Sequence, residues 1–231
     1  MNTSPPAVDL RLIPVFEGMD DAVLQHLNKG AKLISKPRFR YLYLPGDPAD
    51  EMYFLLEGHI KLGVYGTTFK ENIREILHAP GYFGELTIAG ETSREGFALT
   101  MGERNLILAV DASLIRDTMA GNAMLQSRML KILGARLRQA EHRVEDLINK
   151  DAKTRIIDYL RQVVRERGRQ IGYEIHLRHD LTQQDIASIT GTSRQTVTQV
   201  LNDLRKSNLI HFARQNILVR DISKLDNRTV H

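Results

Sequence analysis

The distribution of glycine and proline constrains this chain more than any other feature. Between residues 32 and 110 they recur at Pro37, Pro45-Gly46, Pro48, Gly58, Gly63, Gly66, Pro80-Gly81, Gly84, Gly90, Gly96 and Gly102. From 112 to 148 there is no proline, and the glycines are Gly121 and Gly134 alone. Both residues interrupt regular backbone, glycine through its freedom at positive φ and proline through its fixed φ and missing N–H. The first stretch must therefore be built from short pieces, while the second admits a long helix. The pieces are β-prone runs at 40–44, 52–56, 59–65, 73–77, 96–101 and 105–110. Short strands with turn signals every ~8–12 residues predict an all-β sandwich or jelly roll. A short helix is predicted before them, at 20–27, with Val23, Leu24 and Leu27 on one side.

In the glycine-poor stretch, Leu130, Leu133, Leu137, Ala140, Val144 and Leu147 follow alternating steps of three and four. That spacing makes an a/d seam. A helix packed on the β-domain would also be apolar on one side. The stripe here is narrow, with charged residues such as Arg136, Arg138, Glu141 and Glu145 beside it, which favours a parallel dimer seam. A second helix is predicted at 152–167, then a strand at 173–177. Two helices follow, starting near Thr182 and Ser193, then strands at 209–212 and 216–219. The organisation expected is a β domain over 1–110, a dimerisation helix over 111–150 and a small mixed domain over 151–231.

Charge separates these parts. Residues 151–231 hold 14 basic and 9 acidic side chains, while 1–150 hold 18 and 19. A polyanion partner is therefore expected for the C-terminal part. The chain has no cysteine. That excludes disulfides, thiolate-held zinc or iron–sulfur clusters, and a cysteine nucleophile. Residues 1–10 lack the basic start and apolar core of a secretory signal, and no apolar run approaches the ~20 residues of a membrane span. A cytoplasmic protein with no membrane partner is expected. No Walker loop, dinucleotide fingerprint or nucleophile–base arrangement appears. A jelly-roll metal enzyme would need clustered histidine and carboxylate ligands. His59 and His78 stand 19 residues apart with no other histidine near them, so no catalytic residue and no metal site are assigned.

The strongest signal is LTQQDIASITGTSRQTVTQVLNDLRKSNLI, residues 181–210. Thr182 and Asp185 suit a helix N-cap and its N3 position. Gly191 stands where a sharp inter-helix turn is needed, and Ser193 caps the next helix. Val197, Val200, Leu201 and Leu204 mark that helix's buried side. Arg194, Gln195, Thr198, Gln199 and Asn202 mark the opposite side, which has no acidic residue until Asp203. Helix, glycine turn and helix at this spacing make a helix-turn-helix, with a recognition helix at about 193–206. The outer face suits the DNA major groove. Arg bonds O6 and N7 of guanine, and Gln bonds N6 and N7 of adenine. Ser193 and Thr196, at a helix N-terminus, suit phosphate contacts. Thr182 is assigned the same role, as is Arg214 on the following wing.

The chain from about 20 to 224 resembles the CRP/FNR family of bacterial transcription regulators. PGDPADEMYFLLEGHIKL (45–62) and FGEL (83–86) look like its effector-domain signature, and 181–210 like its DNA-binding signature. The resemblance implies an α+β chain with an N-terminal β-roll, a jelly-roll domain of the cyclic-nucleotide-binding kind. It further implies a long dimerisation helix and a C-terminal winged helix-turn-helix. Its members bind two-fold symmetric promoter DNA as homodimers and act with RNA polymerase. Arg194, Gln195 and Gln199 fall on the family's base-reading positions, where the cyclic-AMP-responsive members carry Arg, Glu and Arg. A guanine read by Arg194 is expected, with other positions altered.

For the effector, the resemblance implies a Gly-Glu pair on a ribose, an Arg-Ser pair on the cyclic phosphate and Thr-Ser on the adenine. Gly84 and Glu85 match the first. The phosphate positions become Glu95 and Gly96, with Arg94 one residue early, and the adenine positions become Ala140 and Glu141. A carboxylate repels phosphate and alanine offers no hydrogen bond, so control by cyclic AMP is not expected. The candidate pocket is Gly84, Glu85, Arg94 and Glu95. An unidentified effector, or none, is the reading adopted. A cyclic-nucleotide- or haem-responsive regulator is the alternative, with His78 and His142 the histidines to test for haem. A regulatory module for another protein is a further class.

Overall fold

The computed structural model describes residues 9–67, 70–213, 216–222 and 225. They form two compact units, Met1–Ala140 and Glu141–His231. In the first, helix α1 (Asp21–Asn28) precedes eight strands. These are β1 (Ala31–Pro37), β2 (Tyr41–Tyr43), β3 (Glu51–Glu57), β4 (His59–Tyr65), β5 (Glu71–His78), β6 (Gly81–Phe83), β7 (Phe97–Thr100) and β8 (Arg104–Asp111). They make two antiparallel four-stranded sheets, ordered β1-β8-β3-β6 and β2-β7-β4-β5. Helix α2 (Ala112–Gly121) and the long α3 (Ala123–Asn149) follow.

Strand β3 explains why residues 52–56 read as an unbroken apolar run. Alternate residues on a strand face opposite sides. Tyr53 and Leu55 enter a cluster between the sheets with Ile60, Phe83, Ala98 and Ile107. Met52 and Phe54 enter a second cluster on the other face. That second core is closed by Phe16, Leu24 and Leu27 from the N-terminal segment and α1, and by Leu125, Met129 and Ile132 of α3. Asn105, fully buried, ties three segments together. Its Oδ1 accepts from the His59 and Gly102 N–H groups, and its Nδ2 donates to the Lys36 and Gly102 carbonyls. All of its hydrogen-bonding capacity for backbone partners is used, which is what a buried amide requires.

In the second unit, α4 (Ala152–Arg167) leads into β9 (Arg169–Ile171) and β10 (Glu174–Arg178). Then come α5 (Gln183–Ile189), α6 (Arg194–Lys206), β11 (Ile210–Ala213) and β12 (Asn216–Val219), in an antiparallel sheet ordered β11-β12-β10-β9. The core takes Ile156, Ile157 and Leu160 from α4, Ile186 from α5, and Val197 and Leu201 from α6.

Three local readings differ from the sequence pattern. The helical stretch after 111 breaks at Asn122, whose extended backbone ends α2 while its Oδ1 accepts the Leu125 N–H at 2.9 Å. Strands β1, β6 and β9 were not expected at all. The strand expected at 173–177 is one arm of a hairpin, with Gly172 at φ +60° in its turn.

Phe54 is 1% exposed and meets the Phe16 ring edge-on at 5.0 Å between centroids. Phe54→Ala should destabilise the first unit by about 3–5 kcal/mol, the usual cost of emptying a buried aromatic site. Urea denaturation followed by tyrosine fluorescence would measure it, and a loss below about 1 kcal/mol would contradict this packing.

Candidate nucleic-acid interface and effector site

The helix pair α5–α6 is fixed at each of its ends. At the start of α5, Thr182 Oγ1 accepts the Asp185 N–H at 3.1 Å, and Asp185 Oδ2 accepts the Thr182 N–H at 2.8 Å. This reciprocal box consumes the Thr182 hydroxyl, which also donates to Asp185 Oδ2. At the turn, Gly191 has φ +61°, and a Cβ there would lie 2.8 Å from Leu147 Cδ2. The positive φ calls for glycine, whereas the half-exposed Leu147 side chain could turn aside. At the start of α6, Ser193 Oγ accepts the Thr196 N–H at 3.0 Å and lies 2.8 Å from the Thr196 hydroxyl. Capping in this way leaves the first N–H groups of α6 directed outward, where an anion is favoured.

Arg194, Gln195 and Gln199 are all exposed on α6, opposite the buried Val197, Val200, Leu201 and Leu204. Thr198, between them, is partly withdrawn. Its hydroxyl lies 2.6 Å from Gln183 Oε1 and 2.9 Å from the Arg194 carbonyl. Arg214 falls outside the described residues. Two arginines that the sequence reading left unassigned hold the turn. Arg143 donates to the Ile189 carbonyl at 2.9 Å. Arg155 donates to the Thr190 and Gly191 carbonyls at 2.9 and 3.2 Å and to the Lys150 carbonyl at 2.6 Å. Three successive carbonyls at the end of α5 are thus satisfied by guanidinium groups from α3 and α4. Nothing in the spacing of Arg143 or Arg155 announces this, because the partners are backbone atoms about 40 residues away.

The seam residues stand free of this chain's own core. Leu130, Leu137, Val144 and Leu147 are 68%, 61%, 56% and 50% exposed. Ala140 is also exposed, and Leu133 is half-buried. A different stripe of α3, through Leu125, Met129 and Ile132, meets the β-roll.

In the effector region, Gly84 adopts φ +74° and Glu85 is buried. Arg136 of α3 donates Nε to Glu85 Oε1 at 2.6 Å, and its guanidinium also binds Glu75 and the Tyr82 carbonyl. Burial works against the Arg136 charge, but the Glu85 and Glu75 carboxylates outweigh it and raise the pKa. Arg94 is 3% exposed. It donates to the Glu91 carboxylate at 3.2 Å, to the Gly84 carbonyl at 3.4 Å and to the Glu51 carbonyl. Its guanidinium carbon lies 4.7 Å from the Tyr43 ring centre, and burial pushes the Tyr43 hydroxyl up to about 12. Glu95 does not join this group. It lies in the bend before β7, exposed, 3.9 Å from Arg74. The residues present do not fit a cyclic phosphate. Arg94 is already paired with a carboxylate, Glu85, the residue expected to meet a ribose, is held by Arg136, and Ala140 has no hydrogen-bonding side chain.

The His59 and His78 rings stack at 5.0 Å across β4–β5, and His142 pairs with Glu145 at 3.1 Å. Among the described residues no group of three or more His, Asp or Glu is placed to hold a metal, and no helix is long and apolar enough to cross a membrane.

Comparison with known proteins bears on both units. Residues 154–228 match the Crp-like helix-turn-helix domain family, and 34–122 match the cyclic nucleotide-binding domain family. The chain is 29% identical to a CRP-like cAMP-activated global transcriptional regulator of Mycobacterium tuberculosis, over 93% of this chain and 95% of that one. It is 30% identical to a global nitrogen regulator of a Nostoc species, over 79% and 82%. Among solved structures, a CooA mutant from Carboxydothermus hydrogenoformans superposes with a TM-score of 0.74 at 23% identity, covering 96% and 97%. That last likeness speaks for the fold.

His179, buried just before α5, gives a test of how the helix pair is seated. Its Nδ1 accepts the Leu181 N–H at 3.1 Å, so the neutral ring carries its hydrogen on Nε2. Burial first, and Arg167 second, push its pKa below the ordinary imidazole value, with Asp180 opposing. A lowered folded-state pKa means the unfolded chain takes up the proton first. The stability due to neutral His179 is therefore complete above about pH 6.5 and is lost as pH falls from there toward the folded value. His179→Asn keeps an acceptor for Leu181 without a titrating ring. Between about pH 7.5 and 5.5 the wild type should lose more urea resistance in this unit than the variant does. Equal losses would show that His179 has no part in it.

Proposed function

The chain belongs to the CRP/FNR family of transcription regulators, DNA-binding proteins and not enzymes, and from that premise we propose that it acts as a homodimer on two-fold symmetric promoter DNA. The observation that carries this is the exposed face of α6, with Arg194, Gln195 and Gln199 outward on a helix whose opposite side is buried. Arg194 reads a guanine through O6 and N7. Gln195 and Gln199 suit adenines, and Ser193, Thr196 and Thr182 face phosphates from the two helix N-termini. The hydroxyl and the N–H of Thr182 both donate to Asp185, so its phosphate contact requires that capping box to open.

The dimer reading rests on the free seam of α3. Four large apolar side chains at seven-residue and shorter intervals stand half or more exposed. Pairing with a second copy removes them from water, at about 1.5–3 kcal/mol for each fully buried side chain. In this reading 1–110 senses, 111–150 pairs and 151–231 binds DNA. The location is the cytoplasm, where promoter DNA and RNA polymerase are. The β-roll takes an effector other than cyclic AMP, or none. The M. tuberculosis relative is described as cAMP-activated, and that description stays with the relative, because the Arg94 and Glu85 environments here are already filled.

Arg194→Ala should weaken binding to an operator recovered by selection by about 1–3 kcal/mol, while binding to unrelated duplex falls much less. Fluorescence anisotropy on both duplexes would measure the difference, and equal losses on both would reduce Arg194 to a phosphate contact. Leu137→Glu combined with Val144→Glu should convert the protein to monomers in sedimentation velocity and abolish selective binding. Dimers that survive both charges would place the interface elsewhere.

A further inference from the structure

We propose that Glu91 is a specificity-determining residue of the effector site, a built-in anion that occupies Arg94 and closes the β-roll to phosphate-bearing ligands. The proposal rests on reading the β-roll as an effector domain. Two guanidinium groups stand in that region, Arg136, held by Glu85 and Glu75, and the more deeply buried Arg94. Its side chain is 2% exposed, and the paired Glu91 side chain is 16% exposed. Taking a guanidinium out of water is costly unless a counter-charge and hydrogen bonds accompany it. Here both are supplied from within. Glu91 lies three residues before Arg94 and brings its carboxylate to 3.2 Å, while the Gly84 and Glu51 carbonyls accept from the same guanidinium. The Tyr43 and Tyr53 rings lie 4.7 and 5.6 Å from its centre. Gly84 makes the close approach possible, since a Cβ there would sit 3.1 Å from Arg94 Nη1.

The electrostatic consequence follows directly. A cyclic phosphodiester carries one negative charge. Beside an unpaired arginine it would gain a charge-assisted hydrogen bond. Beside the Arg94–Glu91 pair its attraction to the guanidinium is offset by repulsion from the carboxylate, while the cost of losing its hydration remains. A neutral ligand meets no such penalty. Glu91 therefore selects by charge.

The test is isothermal titration calorimetry on the full chain with cyclic AMP, and with adenosine as the neutral control. The wild type should give no saturable heat with cyclic AMP up to about 1 mM. Glu91→Gln keeps the shape and an acceptor for Arg94 and removes the charge. It should raise cyclic AMP affinity about 100-fold or more, with adenosine unchanged. Glu91→Ser serves if the amide variant fails to fold, and the same gain is expected. Adding Arg94→Gln to either should abolish the gain. Saturable cyclic AMP binding by the wild type would overturn the proposal, as would variants that bind no better than the wild type. Selective DNA binding by the ligand-free wild type, measured separately, tests the regulator reading itself, so the two failures are distinguishable.

Discussion

Helix α3 carries apolar residues on two sides, and one chain can cover only one of them. The stripe of Leu125, Met129 and Ile132 closes the core over the outer face of β3. The stripe of Leu130, Leu137, Val144 and Leu147 is left in water. Without the first, Met52 and Phe54 would lose their cover. Without a partner for the second, the helix pays to hold leucines exposed. The β-roll core is therefore closed by a helix that keeps a second apolar stripe exposed, and the proposed pairing would cover that stripe.

Arginines fasten this helix along its length. Arg128 donates to the Val15 and Glu17 carbonyls, Arg136 bridges Glu75 and Glu85, and Arg143 takes the Ile189 carbonyl at the helix-turn-helix. Arg155 adds the next two carbonyls of the same turn. Guanidinium forks suit this work, because they remain charged when partly buried and satisfy several acceptors in fixed geometry. The orientation of the recognition helix is thus set by side chains that never need to touch DNA. Within the first unit, the same helix is tied to the effector region through Glu85.

Much of this was legible beforehand, and the omissions have physical causes. The punctuation by glycine and proline located the strands, and the buried face of α6 followed from Val197, Val200, Leu201 and Leu204 spaced as a helix requires. Strand β1 escaped because Ala31–Pro37 alternates polar and apolar residues weakly, carries Pro37, and pairs only at the sheet edge with β8. The break at Asn122 escaped because its signal is a single capping side chain. The second stripe of α3 was hidden by the more regular seam beside it. In the effector region the gapless register put Glu95 toward the ligand. The loop before β7 buries Arg94 and leaves Glu95 exposed, one residue out of step with that register. The joints made by Arg143 and Arg155 were invisible, since a side chain that binds distant backbone leaves no pattern in spacing.

Two-fold DNA reading through α6 is the central claim, and selection of bound sequences from random duplex DNA tests it most directly. The account predicts an inverted repeat with half-site centres about 10–10.5 base pairs apart, each half carrying a guanine at the position read by Arg194. Enrichment of a single unrepeated half-site, or of no sequence at all, would contradict it.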